Sequence, residues 1–345
     1  MNNNLKPNRI LIVRTDRIGD VLLSTPVIKA VREAFPTAYI AMMVRPYTKD
    51  IVSGNPFLNE VIVYDKDGPQ KGFFGNLKFA SGLRKTKFDL AIILHPTNRA
   101  HLISWAARIP VRLGYDRKLG FLLTKKVFHK KQLGLMHEAE YNLELLKEIG
   151  IEAKDKTLFM PVKPEDEKWA DGFLRENKIS KDNPLVCVHP AASCVSKRWP
   201  VEKFARLIDG LTEKLEAQVV VFTAESDAKI IEEISRLSRY KKFFILKGVG
   251  LPKIAALLKK SRLLISNDSG PVHVSVAVGT PVIAIFGRKQ PGLSPKRWGP
   301  LGKKDVVLHK DSGCAVCLAH NCQSNFKCLE MIEVKDVLNA AGKIL

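Results

Sequence analysis

Short apolar segments alternate with longer amphipathic segments along the chain, and this alternation restricts the fold more than any other feature. In the first half, the strand-like segments are Arg9 to Arg14, Tyr39 to Val44, Val61 to Tyr64 and Leu90 to Leu94. Helix-like segments lie between them, with Thr25 as N-cap and Pro26 at the first helical position of one helix, and others near Tyr47 to Ser53 and Leu77 to Lys85. Strands that alternate with helices indicate a parallel sheet covered by helices.

A second series of the same kind follows a polar, charged stretch from Lys163 to Asn183. Its strands are expected at Leu185 to Val188, Val219 to Phe222, Phe243 to Leu246, Leu263 to Ser266 and Val282 to Phe286, and its helices near Val201 to Leu215, Ala228 to Leu237 and Pro252 to Lys260. Prolines at Pro161 and Pro164 interrupt any continuing element. We therefore expect two doubly wound α/β domains, residues 1–163 and 164–345. A chain of 345 residues is long enough for two hydrophobic cores.

The chain carries a large positive charge, with 56 Lys and Arg against 35 Asp and Glu and a formal net charge of +21. Such an excess predicts an anionic partner, either phosphorylated lipid, a membrane surface or nucleic acid. The basic residues are scattered, and no zinc finger, RNP aromatic motif or helix-turn-helix signature is present, which disfavours nucleic acid. No long apolar stretch and no signal-peptide pattern occurs, so we expect a cytoplasmic protein.

The loops after the strands are where an open parallel sheet binds its ligands. The loop from Arg14 to Pro26 carries Gly19, which allows a tight turn, and Asp20, which is either a general base or a helix cap. Arg14 and Arg17 precede Asp20 in the same loop, and a simple cap does not require two such arginines. Arg45 and Arg99 also lie near strand ends of the first domain, where an anionic acceptor would approach.

In the second domain, the loop from His189 to Pro200 combines small residues, Ala192 and Ser193 among them, with Lys197. Small residues let a phosphate approach backbone N–H groups, and a lysine supplies a point charge for a diphosphate; the alternative is a solvated surface lysine. Asp227 follows another strand, where an acid commonly holds ribose hydroxyls, although it is also a possible N-cap.

The segment Ser266 to Gly287 is the most informative in the chain. A strand there ends in Asp268, Ser269 and Gly270 and runs into a helix of small residues, and helix N-terminal amides with a hydroxyl form an anion site. His273, one turn into the helix, either joins that site or is a histidine satisfied between helix and sheet. Val249, shortly after the strand at Phe243 to Leu246, is also grouped with the donor-binding candidates.

Three blocks in this order resemble one known family. RTDRIGDVLLSTPVIKAV, HPAASCVSKRWPVEKFARLI and NDSGPVHVSVAVGTPVIAIFG look like the corresponding segments of the ADP-heptose:lipopolysaccharide heptosyltransferases. The resemblance covers nearly the whole chain, including RLGYDRKLGFLLTKKV and the helix HEAEYNLELLKEIGI. It departs from some members in one place, because Ala192 and Ser193 stand where those carry two threonines and Lys197 is displaced by one position.

This resemblance implies a GT-B fold, in which two Rossmann-like domains face each other across a cleft. It implies that the first domain binds the acceptor, the second binds the nucleotide sugar, and the sugar is transferred with inversion and without an obligatory metal or other cofactor. Asp20 would be the catalytic base, Lys197 would bind the donor phosphate, and Asp227, Asp268, Ser269, Gly270 and His273 would belong to the donor site. The amphipathic segment Val334 to Leu345 would be a final helix that packs back on the first domain.

The expected function is transfer of heptose from ADP-heptose to the lipopolysaccharide inner core, by an enzyme attached peripherally to the inner membrane at an anionic lipid acceptor. Two other hypotheses remain open. One is a GT-B transferase that uses another nucleotide sugar, and the other is a non-catalytic basic protein that binds membranes or nucleic acid.

Four of the six cysteines crowd near the C-terminus with the spacing C-x2-C-x4-C-x5-C. They are Cys314, Cys317, Cys322 and Cys328. A metal ion or an iron–sulfur cluster is one interpretation, and burial as small apolar residues is the other. A zinc ribbon has a second pair of closely spaced cysteines, which this segment lacks. We therefore expect that these cysteines bind no metal.

Overall fold

A computed structural model describes residues 5–345, and the chain divides into two compact units. The first unit ends at Pro161, and the second comprises Val162–Leu345 together with Leu133–Leu135. The elements of the first unit are β1 (Arg9–Val13), α1 (Ile18–Leu22), α2 (Thr25–Ala34), β2 (Tyr39–Val44), α3 (Lys49–Val52), β3 (Glu60–Val63), α4 (Phe73–Lys85), β4 (Leu90–Ile93), α5 (Asn98–Ala106), β5 (Val111–Asp116), β6 (Lys125–Phe128) and α6 (Glu138–Glu144).

The second unit repeats the alternation of strands and helices. Its elements are α7 (Pro164–Glu176), β7 (Leu185–His189), α8 (Val201–Leu215), β8 (Gln218–Thr223), α9 (Ala228–Leu237), β9 (Phe243–Lys247), α10 (Leu251–Lys260), β10 (Leu263–Asn267), α11 (Gly270–Ala277), β11 (Val282–Phe286), α12 (Pro295–Trp298), β12 (Val306–His309), α13 (Lys327–Glu330) and α14 (Val334–Gly342).

Each unit contains one parallel sheet of six strands. The strand order is β3-β2-β1-β4-β5-β6 in the first unit and β12-β11-β10-β7-β8-β9 in the second. In each sheet the order in which successive strands are added reverses between the two central strands. These are β1 and β4 in the first sheet and β10 and β7 in the second. Ligands of open parallel sheets bind beyond the carboxyl ends of the strands at this switch point. The loops after β1, β7 and β10 are consequently the places to seek chemistry.

The central strands are buried on both sides, as near-continuous apolar runs predict. Leu11 and Val13 of β1 are fully buried and contribute to a core under α4 and α5, in which Leu83 and Ile103 take part. In the second sheet, Val186 and Ile265 of the two central strands belong to the core under α8 and α9. The strands that sequence periodicity predicted most clearly are those that occupy the centres of the sheets.

The structure adds elements that the sequence reading missed. β5, β6 and β12 lie at or near sheet edges, where Arg112, Lys125 and Lys126 interrupt the apolar pattern and where basic residues are common. α5 is a further addition. The charged stretch after Lys163 forms α7, whose first turn contains Pro164 and three acidic residues that favour a helix N-terminus.

The start of one predicted helix is corrected, and the final helix is assigned to a hydrophobic core. The N-cap of α2 is Ser24 and not Thr25, so Pro26 is the second helical residue. α14 packs against α8 and buries Val337 and Ala341 in the core of the second unit. Among residues 5–345, no helix is long and apolar enough to cross a membrane.

Candidate active site

Asp20 lies directly beyond the central strand of the first sheet. It is the third residue of α1, and its Oδ2 accepts a hydrogen bond from the backbone N–H of Arg17 at 3.3 Å. Its Oδ1 lies 2.6 Å from Nη2 of Arg14, the residue that follows β1. Asp20 thus caps α1, as the structural alternative proposed, and it is also the partner of a buried arginine. Its side chain keeps 18% of its surface exposed, so ligands can reach it.

Arg14 is almost fully buried and organises this region. Its Nε lies 2.9 Å from Asp16 Oδ2 and its Nη1 lies 3.2 Å from Glu138 Oε1 at the start of α6. Lys131 Nζ donates to the same glutamate oxygen at 2.7 Å. Burial disfavours the charge on Arg14, but the carboxylates of Asp20, Asp16 and Glu138 outweigh that cost and raise its pKa. The guanidinium therefore remains charged and holds the Asp20 carboxylate in one place.

Asn142 connects the ion pairs to the backbone. Its side-chain oxygen accepts hydrogen bonds from Lys131 at 2.9 Å and from Arg14 at 3.3 Å, and its amide donates to the carbonyl of Leu23 at 3.0 Å. His95 lies beside this network, with Nδ1 3.9 Å from Asp16 Oδ2. Burial lowers the pKa of His95, and Asp16 opposes that shift.

The other acceptor-binding candidates surround the same edge of the sheet. Gly19 and the exposed Arg17 belong to the Asp20 turn. Arg45, after β2, pairs with Asp67 and stacks on Tyr47, whose hydroxyl donates to the carbonyl of Asp16 at 2.8 Å. The structure thus links the loop after β2 to the loop that carries Asp20.

Arg99 is exposed at the start of α5 and donates to the carbonyls of Lys66 and Lys71, each at 3.3 Å. It therefore joins the start of α5 to the loop after β3. That loop contains an Asp-x-Asp pair, a spacing used for metals in many transferases, but both acids serve other contacts. Asp65 accepts from the N–H groups of Asp67 and Gly68, and Asp67 pairs with Arg45.

In the second unit, Asp268 is a buried acid between two cations. Its Oδ2 lies 3.1 Å from Lys197 Nζ and 2.5 Å from Arg288 Nη2. Both Asp268 and Arg288 are less than a tenth exposed, whereas Lys197 is 16% exposed. One carboxylate cannot neutralise two cations, and uncompensated buried charge is costly. The arrangement is suited to an added anion, and Arg288 Nε has no hydrogen-bond partner among the described residues.

His189, the last residue of β7, joins the serines that follow β10. Its Nδ1 lies 3.2 Å from Oγ of Ser269 and 3.4 Å from Oγ of Ser266. Burial lowers the pKa of His189 to about 4, so the imidazole is neutral at pH 7. Ser269 is the N-cap of α11, and Gly270 is its first residue. The amides at the start of α11 are therefore oriented beside a neutral histidine.

The remaining donor candidates are distributed over three loops. Ala192 is buried and accepts from Arg198 Nε through its carbonyl at 2.9 Å, while Ser193 is exposed. Asp227 lies 3.9 Å from Nη2 of the same arginine. Arg198 thus connects the loop after β7 with the loop after β8.

Val249 and His273 differ in their surroundings. Val249 is half-buried and follows Gly248, whose φ of +63° brings the backbone close to Glu225, the other acid of the loop after β8. His273 lies within α11 and is 4% exposed. Both roles remain predictions.

The four C-terminal cysteines line one cavity of about 380 Å³, together with Lys289 and His309. All four are free thiols of intermediate exposure. Hydrogen bonds from Ser312 and Ser324 lower the pKa of Cys314, whereas burial raises that of Cys328. Among residues 5–345, no three side chains of the metal-ligating types are arranged to hold an ion.

Several site residues escaped the sequence reading. Arg288 lies two residues after the end of β11, so its position just beyond a buried strand of the second sheet is a signal that could have identified it. His189 and Asp16 stood inside the quoted loops without a role. Glu138 and Lys131 gave no signal, because a contact with Arg14 across 124 residues is not visible in sequence spacing.

Comparisons with known proteins agree on the family. Residues 76–327 match the model of glycosyltransferase family 9 (heptosyltransferase). The chain is 28% identical over 336 residues to lipopolysaccharide heptosyltransferase 3 of Escherichia coli (strain K12), with 95% of each chain covered.

Solved structures give the same result for the fold. The glycosyl transferase family 9 protein from Veillonella parvula superposes with a TM-score of 0.86 at 25% identity, with 99% of each chain covered. The E. coli ADP-heptose lps heptosyltransferase II superposes with a TM-score of 0.80 at 22% identity, with 97% of this chain and 98% of that chain covered. The predicted GT-B class is thereby confirmed. Since the family model matches most of the chain, the protein belongs to glycosyltransferase family 9, the heptosyltransferase family, and is a glycosyltransferase.

Proposed function

We propose that this enzyme transfers a heptose from ADP-heptose to an anionic acceptor of the lipopolysaccharide core, with inversion at the anomeric carbon. The observation that carries the proposal is the pairing of two site types in one chain. A carboxylate held by a buried arginine follows β1, and a cluster with two cations and one carboxylate lies beyond β7, β10 and β11. The names of the relatives from E. coli supply the sugar, the nucleotide and the acceptor class.

Asp20 acts as the general base in this proposal. The acceptor hydroxyl must lose a proton as it attacks the anomeric carbon, and a positioned carboxylate accepts it. Arg14 fixes one carboxylate oxygen, and the backbone N–H of Arg17 fixes the other. Attack on the face opposite the leaving phosphate in a single displacement inverts the anomeric configuration.

The leaving ADP is stabilised by Lys197, by Arg288 and by the amides at the start of α11. Fixed positive groups stabilise charge that develops on a leaving phosphate in the transition state. Asp268 does not contact phosphate in this proposal. It anchors Lys197 and Arg288 through one oxygen, while Ser193 and Gly270 lie on the loops that approach the diphosphate.

The nucleoside is held by the loops after β8 and β9. Asp227 binds the ribose hydroxyls, as acids after parallel strands commonly do, and Arg198 orients it. Val249 and His273 complete the donor site, by apolar contact and by a hydrogen bond respectively. No metal takes part in this scheme, because cationic side chains and helix amides neutralise the diphosphate.

The acceptor approaches the edge of the first sheet, where Arg17, Arg45 and Arg99 attract its phosphates and carboxylates. Because that acceptor is a lipid, the enzyme works at the cytoplasmic face of the inner membrane as a peripheral protein. The net charge of +21 favours this location, since anionic leaflets attract basic proteins.

A donor comparison tests the proposal. The purified protein is incubated with ADP-heptose, an ADP-hexose or a UDP-sugar, and its thermal unfolding and transfer to deacylated core oligosaccharide are measured. We expect the largest stabilisation and the only efficient transfer with ADP-heptose. Stronger stabilisation by a UDP-sugar would indicate a different transferase, and absence of transfer with every donor would support the non-catalytic alternative. NMR of the product distinguishes inversion from retention.

A further inference from the structure

Helices α4 and α5 present large apolar side chains to solvent. They pack against each other on one face of the first sheet, and their inner sides bury Ala80, Leu83, Ala100 and Ile103. The outward-facing residues include Phe73 (69% exposed), Phe74 (82%), Leu77 (52%) and Trp105 (51%), and Leu102 and Phe121 are also exposed. We call these six residues the aromatic face. Monomeric proteins rarely leave so many large apolar groups on neighbouring elements without a partner.

The surroundings of the aromatic face are strongly basic. Residues 66–126, which contain the whole face, carry thirteen Lys and Arg against three Asp. Each aspartate is already engaged, since Asp67 pairs with Arg45, Asp89 accepts from backbone N–H groups, and Asp116 lies 3.8 Å from Lys126. Exposed basic residues on or beside the two helices include Lys71, Lys78, Arg84, Arg99 and Arg108. An anionic partner therefore has complementary charge around an apolar centre.

We propose that the aromatic face docks on an anionic phospholipid surface, with Phe73 and Phe74 inserted among the headgroups. Aromatic and leucine side chains partition into the interfacial region of a bilayer, and Lys and Arg around them bind lipid phosphates. A second copy of the chain is a poorer partner, because a two-fold contact would bring the two basic rims together. Nucleic acid would satisfy the charge but would leave most of the apolar surface uncovered.

The position of the face gives docking a purpose, and this part rests on the proposed lipid-linked acceptor. α4 begins soon after β3, so Phe73 and Phe74 lie near the carboxyl edge of the sheet, the edge that also carries Asp20. The hydrogen bonds from Arg99 to Lys66 and Lys71 join the loop before α4 to the start of α5. Docking through this end presents the acceptor-binding edge to the lipid surface.

Vesicle binding by the full-length protein tests the docking. Vesicles of phosphatidylglycerol and phosphatidylethanolamine, free of glycolipid, are sedimented with wild type and with the double variant Phe73→Ser/Phe74→Ser. We expect the double variant to bind at least about tenfold more weakly, because two inserted rings are lost. The control Val316→Ser/Leu318→Ser, which changes exposed apolar residues of the second unit, should bind as wild type does.

A fluorescence measurement gives an independent readout. Brominated lipid should strongly quench a tryptophan placed at the inserted end in the variant Phe74→Trp, and it should quench wild type less, because Trp105 lies in the last turn of α5, away from that end. Equal binding of wild type and the Phe73/Phe74 variant would overturn the proposal, as would dimer formation that depends on these residues without vesicle binding. Transfer to a deacylated acceptor should be unchanged in the variant, so failure of docking and failure of the proposed function are distinguished.

Discussion

The edges of the two sheets carry opposite balances of charge. Beyond β1, three carboxylates (Asp16, Asp20 and Glu138) share two buried cations, Arg14 and Lys131. Beyond β7, β10 and β11, one carboxylate, Asp268, lies between Lys197 and Arg288. The same fold thus places spare negative charge in one unit and spare positive charge in the other. This difference agrees with the roles proposed for the two edges, in which the first accepts a proton and the second stabilises a phosphate.

Among the variants that test this difference between the two edges, Asp20→Asn should have the largest effect, and the effect should be on turnover. A carboxamide cannot accept the acceptor proton, so kcat should fall by about 100-fold to 10,000-fold. ADP affinity, measured by calorimetry, should stay within about twofold because the donor loops lie in the other unit. Asp50→Asn, which alters an exposed acid on α3, is the matched control. Near-normal turnover of Asp20→Asn would leave Asp20 as a helix cap only.

Lys197→Ala should act on donor binding instead. Loss of a charge-assisted contact should weaken ADP binding by about tenfold to 100-fold. Asp268→Ala should also weaken it, because Lys197 and Arg288 lose their common anchor. Lys289→Ala is a suitable control, since that lysine pairs with Asp311 at 2.7 Å. Unchanged ADP affinity in both site variants would contradict the proposal that the edge with Lys197 and Arg288 binds the donor.

The buried His189 makes the second unit sensitive to acid. Its pKa is lowered to about 4 in the folded protein, whereas an unfolded histidine binds a proton near pH 6.5. The unfolded state therefore gains protons first, and stability should fall as pH drops from about 6.5 towards 4, by about 2 kcal/mol between pH 7 and pH 5. Urea unfolding at both pH values should show a smaller difference for His189→Gln. An identical difference would mean that His189 does not titrate in this way.

Salt should produce the smallest effect, and it should change the acceptor KM and the donor KM to different extents. Screening acts over about 8 Å at physiological ionic strength and is weaker for buried charges. The acceptor KM should therefore rise about threefold between low salt and about 0.5 M salt, and the donor KM should change less. Arg17→Ala should reduce the response of the acceptor KM. A larger response of the donor KM would contradict the placement of the lipid acceptor at the first unit.

The central parts of the fold were predictable because burial on both sides leaves a local signature. β1, β2, β7 and β10 are continuous apolar runs, and the sequence identifies them without reference to the rest of the chain. β5 and β6 were missed because basic residues and a glycine break their pattern near the sheet edge. α7 was missed although Pro164 and three acidic residues mark its first turn, since a polar surface helix resembles a linker.

The sequence located the parts of the candidate site that follow strands, but it did not reveal the contacts that join distant segments. Sequence alone determined the alternation of strands and helices, the positive charge, and the loops that carry Asp20, Lys197 and Asp268, since each depends on neighbouring residues. Only the tertiary structure decided that Glu138 would support Arg14 and that Lys197 and Arg288 would share one oxygen of Asp268. The physical reason is that ion pairs form between side chains close in space, and parallel strand order brings together loops that lie far apart in the sequence.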